Sequence, residues 1–205
     1  PFAIAWFVVS PSGQIVWVDE WPDFDFVQTK SWDWKLDDYA SLLRAKEQEL
    51  GLNMQWWLLD PKFGSTARIH TKKDLFEEFE ERGIDFDRGW NVSGLQEGHL
   101  KVRDLLGEVE INDSSEGDES RNVQAPRMLW MPHLHNFIAA MEKYTWDNWG
   151  RKDATRAVKE VPREKYKDFA DLARFVAEAN VGYFDFEQFA AAIPQGIQNN
   201  GLGGR

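Results

Sequence analysis

The chain reads as an α/β domain, a mixed sheet flanked by helices. Three observations carry that reading. Apolar runs of strand length open the chain and return near its middle, runs with helical spacing of apolar residues lie between them, and Gly, Pro, Asp and Ser mark the joints. The chain has 205 residues, enough for one sizeable core. Its 42% hydrophobic and 29% charged residues are ordinary for a soluble globular domain. Residues 1–190 read as a single domain and residues 191–205 as a Gln/Asn/Gly-rich flexible tail.

Residues 2–9 are a continuous apolar run. Ser10 to Gly13 has turn chemistry, and Gln14 to Val18 is a second run, so the two predict a β-hairpin. Residues 22–35 read as a loop rich in Asp and Trp. From Asp37 the spacing turns helical, with Tyr39, Leu42, Leu43 and Leu50 on one face and Gly51 as the stop. Met54 to Leu59 predicts a buried strand that ends at Asp60-Pro61, because proline cannot donate to a ladder. Thr71 and Asp74 have capping-box spacing ahead of Leu75, Phe76 and Phe79, and Gly83 closes that helix.

Residues 96–106 predict another helix with Val102, Leu105 and Leu106 inward. Asn112 to Gln124 reads as a mobile loop, with Glu108–Ile111 and Arg127–Met131 pairing around it. A helix with Phe137, Ile138, Met141 and Tyr144 aligned follows. Residues 147–163 are polar and irregular, and a last helix spans Arg163 to Asn180.

The net charge of −11 argues against a generic nucleic-acid binder. It leaves room for a metal-dependent enzyme, in which acidic groups hold divalent cations that accept phosphate. No apolar run has the length of a membrane span, and residues 1–9 lack the basic lead of a signal peptide. Cysteine is absent, which removes disulfides and thiolate metal sites. The 11 tryptophans fall mostly within apolar runs and read as core. There is no G-x-x-x-x-G-K-[ST] phosphate loop and no G-x-S-x-G nucleophile elbow. His70, His133 and His135 lack zinc-site spacing and read as surface or packing residues.

Asp60 stands at the end of the third strand, where chemistry collects in open α/β sheets, or it simply terminates that strand. Asp168 and Asp171 lie three apart on the last helix, Asp168 inside and Asp171 beside its apolar stripe of Leu172, Phe175, Val176 and Ala179. Acids so placed need a cation, either a metal or a partner such as Arg174 or Lys165. Glu20 ends the second strand as a further acid or as a structural group. Lys62, Arg68, Lys72 and Lys73 follow Asp60 and form a basic loop suited to phosphate contact, or a solvated one.

Taken in order, these segments resemble the nuclease domain of tailed-bacteriophage terminase large subunits. The resemblance rests on the opening Phe2-Ala3-Ile4-Ala5-Trp6, the run from Gly13 to Trp21, Leu58-Leu59-Asp60-Pro61, the segment Gly98 to Leu106, the stretch Arg127 to Trp146, and Asp168-Phe169-Ala170-Asp171-Leu172-Ala173-Arg174-Phe175. It covers about residues 2–180. It implies an RNase H-like fold that cleaves double-stranded DNA during genome packaging with two Mg²⁺ or Mn²⁺ ions. Asp60 would be the second catalytic acid, Asp171 the third, and Asp168 an auxiliary metal ligand. The resemblance also implies a portal protein and a small terminase subunit as partners, and the host cytoplasm as location.

The first catalytic acid of that family lies on a central strand preceding the hairpin, which this sequence does not contain. A resolvase- or transposase-type nuclease and a non-catalytic virion docking module are the alternative readings.

Overall fold

The computed structural model describes residues 2–23, 34–51, 53–69, 71–113, 121–144 and 167–185. Strands β1 (Ile4–Val9) and β2 (Ile15–Trp21) form the expected antiparallel hairpin. Its turn closes through Gly13, whose φ of 80° favours a residue without a Cβ. The Ser10 hydroxyl accepts from the Gln14 N–H at 3.0 Å. The remaining elements are helices α1 (Leu36–Leu50), α2 (Pro61–Gly64), α3 (Leu75–Glu80) and α4 (Leu95–Leu106), strands β3 (Glu108–Asp113), β4 (Arg121–Pro126) and β5 (Met128–Trp130), and helices α5 (His135–Lys143) and α6 (Lys167–Ala179). The α/β class with a mixed sheet is therefore present. Among the described residues no helix is long and apolar enough to cross a membrane.

The main sheet has the order β1-β2-β5, with β5 parallel to β2. It separates two cores. Trp6 and Trp21 pack on one face with Leu36, Tyr39 and Leu43 of α1 and Leu75, Phe76 and Phe79 of α3. Ile15, Trp17 and Met128 pack on the other with Val102 of α4, Phe137 of α5 and Phe169, Ala173 and Val176 of α6. The side chains of β1 alternate between them, Ile4 and Trp6 on the first side and Ala3, Ala5 and Phe7 on the second. Burial of Trp6, Trp17, Trp21 and Trp90 agrees with reading tryptophan as core.

Four local expectations are corrected. Met54 to Leu59 belongs to no ladder among the described residues. Trp57 and Leu59 pack in the first core and Leu58 in the second, while Met54 also joins the first, so the segment is extended and half-buried without pairing among the described residues. The strand Glu108–Asp113 pairs with Arg121–Pro126 rather than with Arg127–Met131, because Val109↔Ala125 and Ile111↔Val123 match apolar residues across a hairpin. The polar connection is thereby shortened from Asn112–Gln124 to residues 114–120, which lie outside the described residues. Arg127 ends that hairpin by donating its N–H to Leu105 at 2.8 Å, which frees β5 to join β2.

The cap of α3 is Asp74, which accepts from the Glu77 N–H at 2.8 Å, while Thr71 donates to Glu78 at 2.6 Å. Leu106 is 41% exposed, since it turns away from the α4–α6 contact that buries Val102. The irregular stretch 147–163, the onset of the last helix at Arg163, His70 and the tail 191–205 lie outside the described residues.

Glu20 proves structural. It is buried, and its two carboxylate oxygens accept the Asn136 and Phe137 N–H groups at 2.8 Å each. These are orphan donors of the first turn of α5, whose own N-cap residue, Leu134, offers no side-chain acceptor. Burial pushes the Glu20 carboxyl above its usual range, and the two N–H groups partly offset that push. We expect Glu20→Ala to lower unfolding free energy by about 1–3 kcal/mol, the cost of stranding buried donors. Glu20→Gln should recover part of the loss in urea denaturation. An unchanged midpoint for Glu20→Ala would show that the sheet does not hold α5 through this group.

Candidate active site

Asp60 is placed by local chain chemistry. Pro61 opens the one-turn helix α2, and Asp60 caps it, accepting at Oδ1 from Lys62 N–H at 2.9 Å and Phe63 N–H at 3.2 Å. The strand-terminating role is therefore real. Oδ2 has no hydrogen bond among the described residues and remains open to another ligand.

Asp171 is placed by α6. The side chain is mostly buried and accepts from Arg174 Nε at 3.2 Å. Arg174 also donates to Glu178 at 3.2 Å, and Glu178 in turn accepts from Ser93 at 2.7 Å. One buried guanidinium thus holds two carboxylates from successive turns of the same helix. Glycine 98 of α4 makes room for this pair: a Cβ there would stand 2.6 Å from Arg174 Cγ and Cδ. Beside them His99 and the Tyr144 hydroxyl share a hydrogen bond of 2.9 Å, and burial drives the Tyr144 hydroxyl above its usual range.

Both aspartates line one cavity of about 720 Å³ between β1, residues 53–60 and α6. Burial raises the Asp171 carboxyl above the ordinary carboxylate range. Arg174 opposes this, and the Asp60 charge adds a smaller upward push. The Asp171 carboxyl thus lies within electrostatic reach of Asp60 across the cavity. Asp168 lines the same cavity, but it is an exposed residue rather than one inside the buried stripe. The physical reason is that α6 is sandwiched on two sides, so its buried face is set by Phe169, Ala170, Ala173 and Phe175 instead of the single stripe that the sequence suggested.

Of the basic loop, Arg68 lines the cavity and pairs with Glu78 at 3.2 Å, and Lys73 pairs with Glu81. Lys62 and Lys72 are exposed, Lys72 on backbone of positive φ. The Arg174–Glu178–Ser93 chain escaped sequence reading. Its only trace was Arg174 three residues after Asp171.

The donor set suits a hard divalent cation, since Asp60 and Asp171 offer carboxylate oxygens to one cavity. Among the described residues no three acidic or imidazole groups converge as a complete cage. Two carboxylates with water and phosphate oxygens form a sufficient site for Mg²⁺, which keeps much of its hydration. Comparison with protein-family models, curated proteins and solved structures returns no match to this chain.

Two outcomes follow. A native carboxyl with a raised pKa holds its proton more tightly than the unfolded chain does. Its contribution to stability is therefore complete below the ordinary value of 3.8 and is lost as pH rises through the raised value. Asp171→Asn has no such loss, so its stability should gain on the parent's across that window and run parallel above it in denaturant titrations. A constant gap from acid to neutral pH would contradict the burial argument. Gly98→Ala should cost about 1–3 kcal/mol by overpacking. Chemical shifts at Arg174 should report the displacement, and an unperturbed Arg174 would contradict the close contact.

Proposed function

We propose that this chain is the nuclease part of a terminase-type packaging motor, an RNase H-like domain that hydrolyses phosphodiester bonds of double-stranded DNA. The observation carrying the reading is that Asp60 and Asp171, far apart in sequence, line one cavity and interact there. The ordered resemblance from Phe2 to Phe175 supports the same assignment. It brings with it DNA, a portal protein and a small terminase subunit as partners, and the host cytoplasm as the setting.

Bound Mg²⁺ or Mn²⁺ would supply charge neutralisation at the phosphate and a more acidic water for in-line attack. Asp60 Oδ2 and Asp171 would provide protein oxygens to the cation, with Asp168 as an auxiliary donor at the cavity rim. Arg174 fixes the orientation of Asp171, so little ordering is required when the cation arrives. Lys62 and Lys72 would meet backbone phosphates and position the duplex without reading sequence. Arg68 and Lys73 would do so only after exchanging their acidic partners.

A non-catalytic docking module is favoured by one specific observation. Asp60 already serves as a helix cap, and two of the four basic loop residues are paired with acids. The two readings separate in titration with Mn²⁺. The nuclease reading expects paramagnetic broadening centred on Asp60 and Asp171, and affinity reduced about 10–100-fold by Asp60→Ala or Asp171→Ala. Nicking of supercoiled plasmid should fall in parallel. Broadening elsewhere, or nicking that both variants retain, would remove the assignment.

A further inference from the structure

Asp171 lines the cavity, and its partner Arg174 and the further acid Glu178 do not. The two carboxylates grip the guanidinium differently. Asp171 accepts from Nε through Oδ1 alone, at 3.2 Å, and its Oδ2 has no hydrogen bond among the described residues. Glu178 accepts from Nη1 with both carboxylate oxygens, at 3.3 and 3.2 Å. Its Oε1 also accepts from the Ser93 hydroxyl, at 2.7 Å. The Glu178 side chain is wholly shielded from water, whereas Asp171 keeps some exposure. Gly98 of α4 closes over this pair, since a Cβ there would collide with Glu178 Oε1 as well as with Arg174.

Charge decides what these two grips permit. Withdrawing one partner of a buried ion pair is costly because the other charge is left stranded. If Asp171 alone held Arg174, a cation in the cavity would compete with the guanidinium for one carboxylate, and its success would strand a buried arginine. A second carboxylate changes that balance. Glu178 offsets the guanidinium, and one net negative charge is left for Asp171 to present. Arg174 and Glu178 stand four apart on α6, so the anchor belongs to the helix that carries Asp171.

We propose that Glu178 is a positioning residue: it anchors Arg174 away from the cavity, so that the Asp171 carboxylate can turn its charge to a divalent cation while the guanidinium stays seated. The inference rests on the nuclease reading for the cation. It adds a residue that the cation never touches, acting through Arg174 on Asp171. Outer contacts of this kind set the affinity of a metal ligand by fixing its orientation and its charge. Ser93, just ahead of the α4 N-cap Gly94, ties the anchor to a second helix.

The first test needs no metal. Exchange of the Arg174 Nη1 protons is followed by nitrogen-15 NMR in the intact chain and two variants. Asp171→Ala should leave their exchange within about threefold of the parent, and Glu178→Gln should speed it by about tenfold or more. Equal effects, or the reverse order, would make Asp171 the anchor and overturn the proposal. Where Glu178→Gln does not fold, Asp171→Ala decides alone: exchange speeded by about tenfold or more counts against the anchor.

The second test is titration calorimetry with Mn²⁺. Glu178→Gln should weaken binding by about tenfold or more, although it removes no cavity residue. In an Arg174→Gln background the same substitution should cost less than about threefold, because the charge it balanced is gone. Unchanged affinity in Glu178→Gln would leave Glu178 a purely structural group and remove this inference alone. Equal losses in both backgrounds would mean that Glu178 acts as a distant charge and not through Arg174, against the proposal. No Mn²⁺ binding by the parent would remove the nuclease reading and this inference with it.

Discussion

A carboxylate buried beside an apolar helix needs donors or a cation to replace water, and for Asp171 and Glu178 that cation is Arg174. Its guanidinium lies between Asp171 and Glu178, both largely shielded from water, with side-chain exposures of 13% and 0%. The arrangement is a compromise rather than a simple gain. Desolvation of the three groups opposes their attraction, and the Asp171 carboxyl remains shifted upward despite its partner. Such a residue costs stability in the empty protein and gives it back when something of positive charge arrives. The α4–α6 crossing serves this compromise, since only glycine at position 98 lets the helices approach closely enough to enclose the pair.

The sheet shows the same tension between local satisfaction and an open demand. Strand β2 is central and paired on both edges, and Glu20 at its end secures α5. Among the described residues strand β1 is paired on one edge only, although it too lies between two helical layers. Natural edge strands are usually short, charged or covered. β1 is short, but it carries no charged residue and lines a cavity. The segment 53–59 lies along the same cavity and enters no ladder among the described residues.

This explains how far the residues alone could be read. The hairpin and α1 were legible because continuous apolar runs and helical spacing are local signals. The run Met54 to Leu59 carries an equally strong local signal but enters no ladder among the described residues, so the apolar run told burial and not hydrogen bonding. The β3–β4 hairpin was misread because Asn112, Arg121, Asn122 and Gln124 are polar, and pairing was decided by Ile111 meeting Val123 across the ladder. Asp168 was misplaced because a single apolar stripe cannot describe a helix buried on two sides. Of the candidate site, Asp60 and Asp171 were legible and do meet in one cavity. Arg174, Glu178 and Ser93 were not, because their association depends on a helix crossing that no spacing encodes.

The double duty of Asp60 bears most directly on function. Capping α2 through Oδ1 orients the carboxylate and holds the turn that follows, while Oδ2 stays unengaged among the described residues. A group preoriented by one oxygen loses little freedom when the other binds a cation, the logic by which outer contacts sharpen metal ligands. A residue serving only as a cap would gain nothing from lining a cavity that also contains a buried, upshifted aspartate. The cavity that Asp60 shares with Asp171, rather than either residue alone, is what the nuclease proposal rests on.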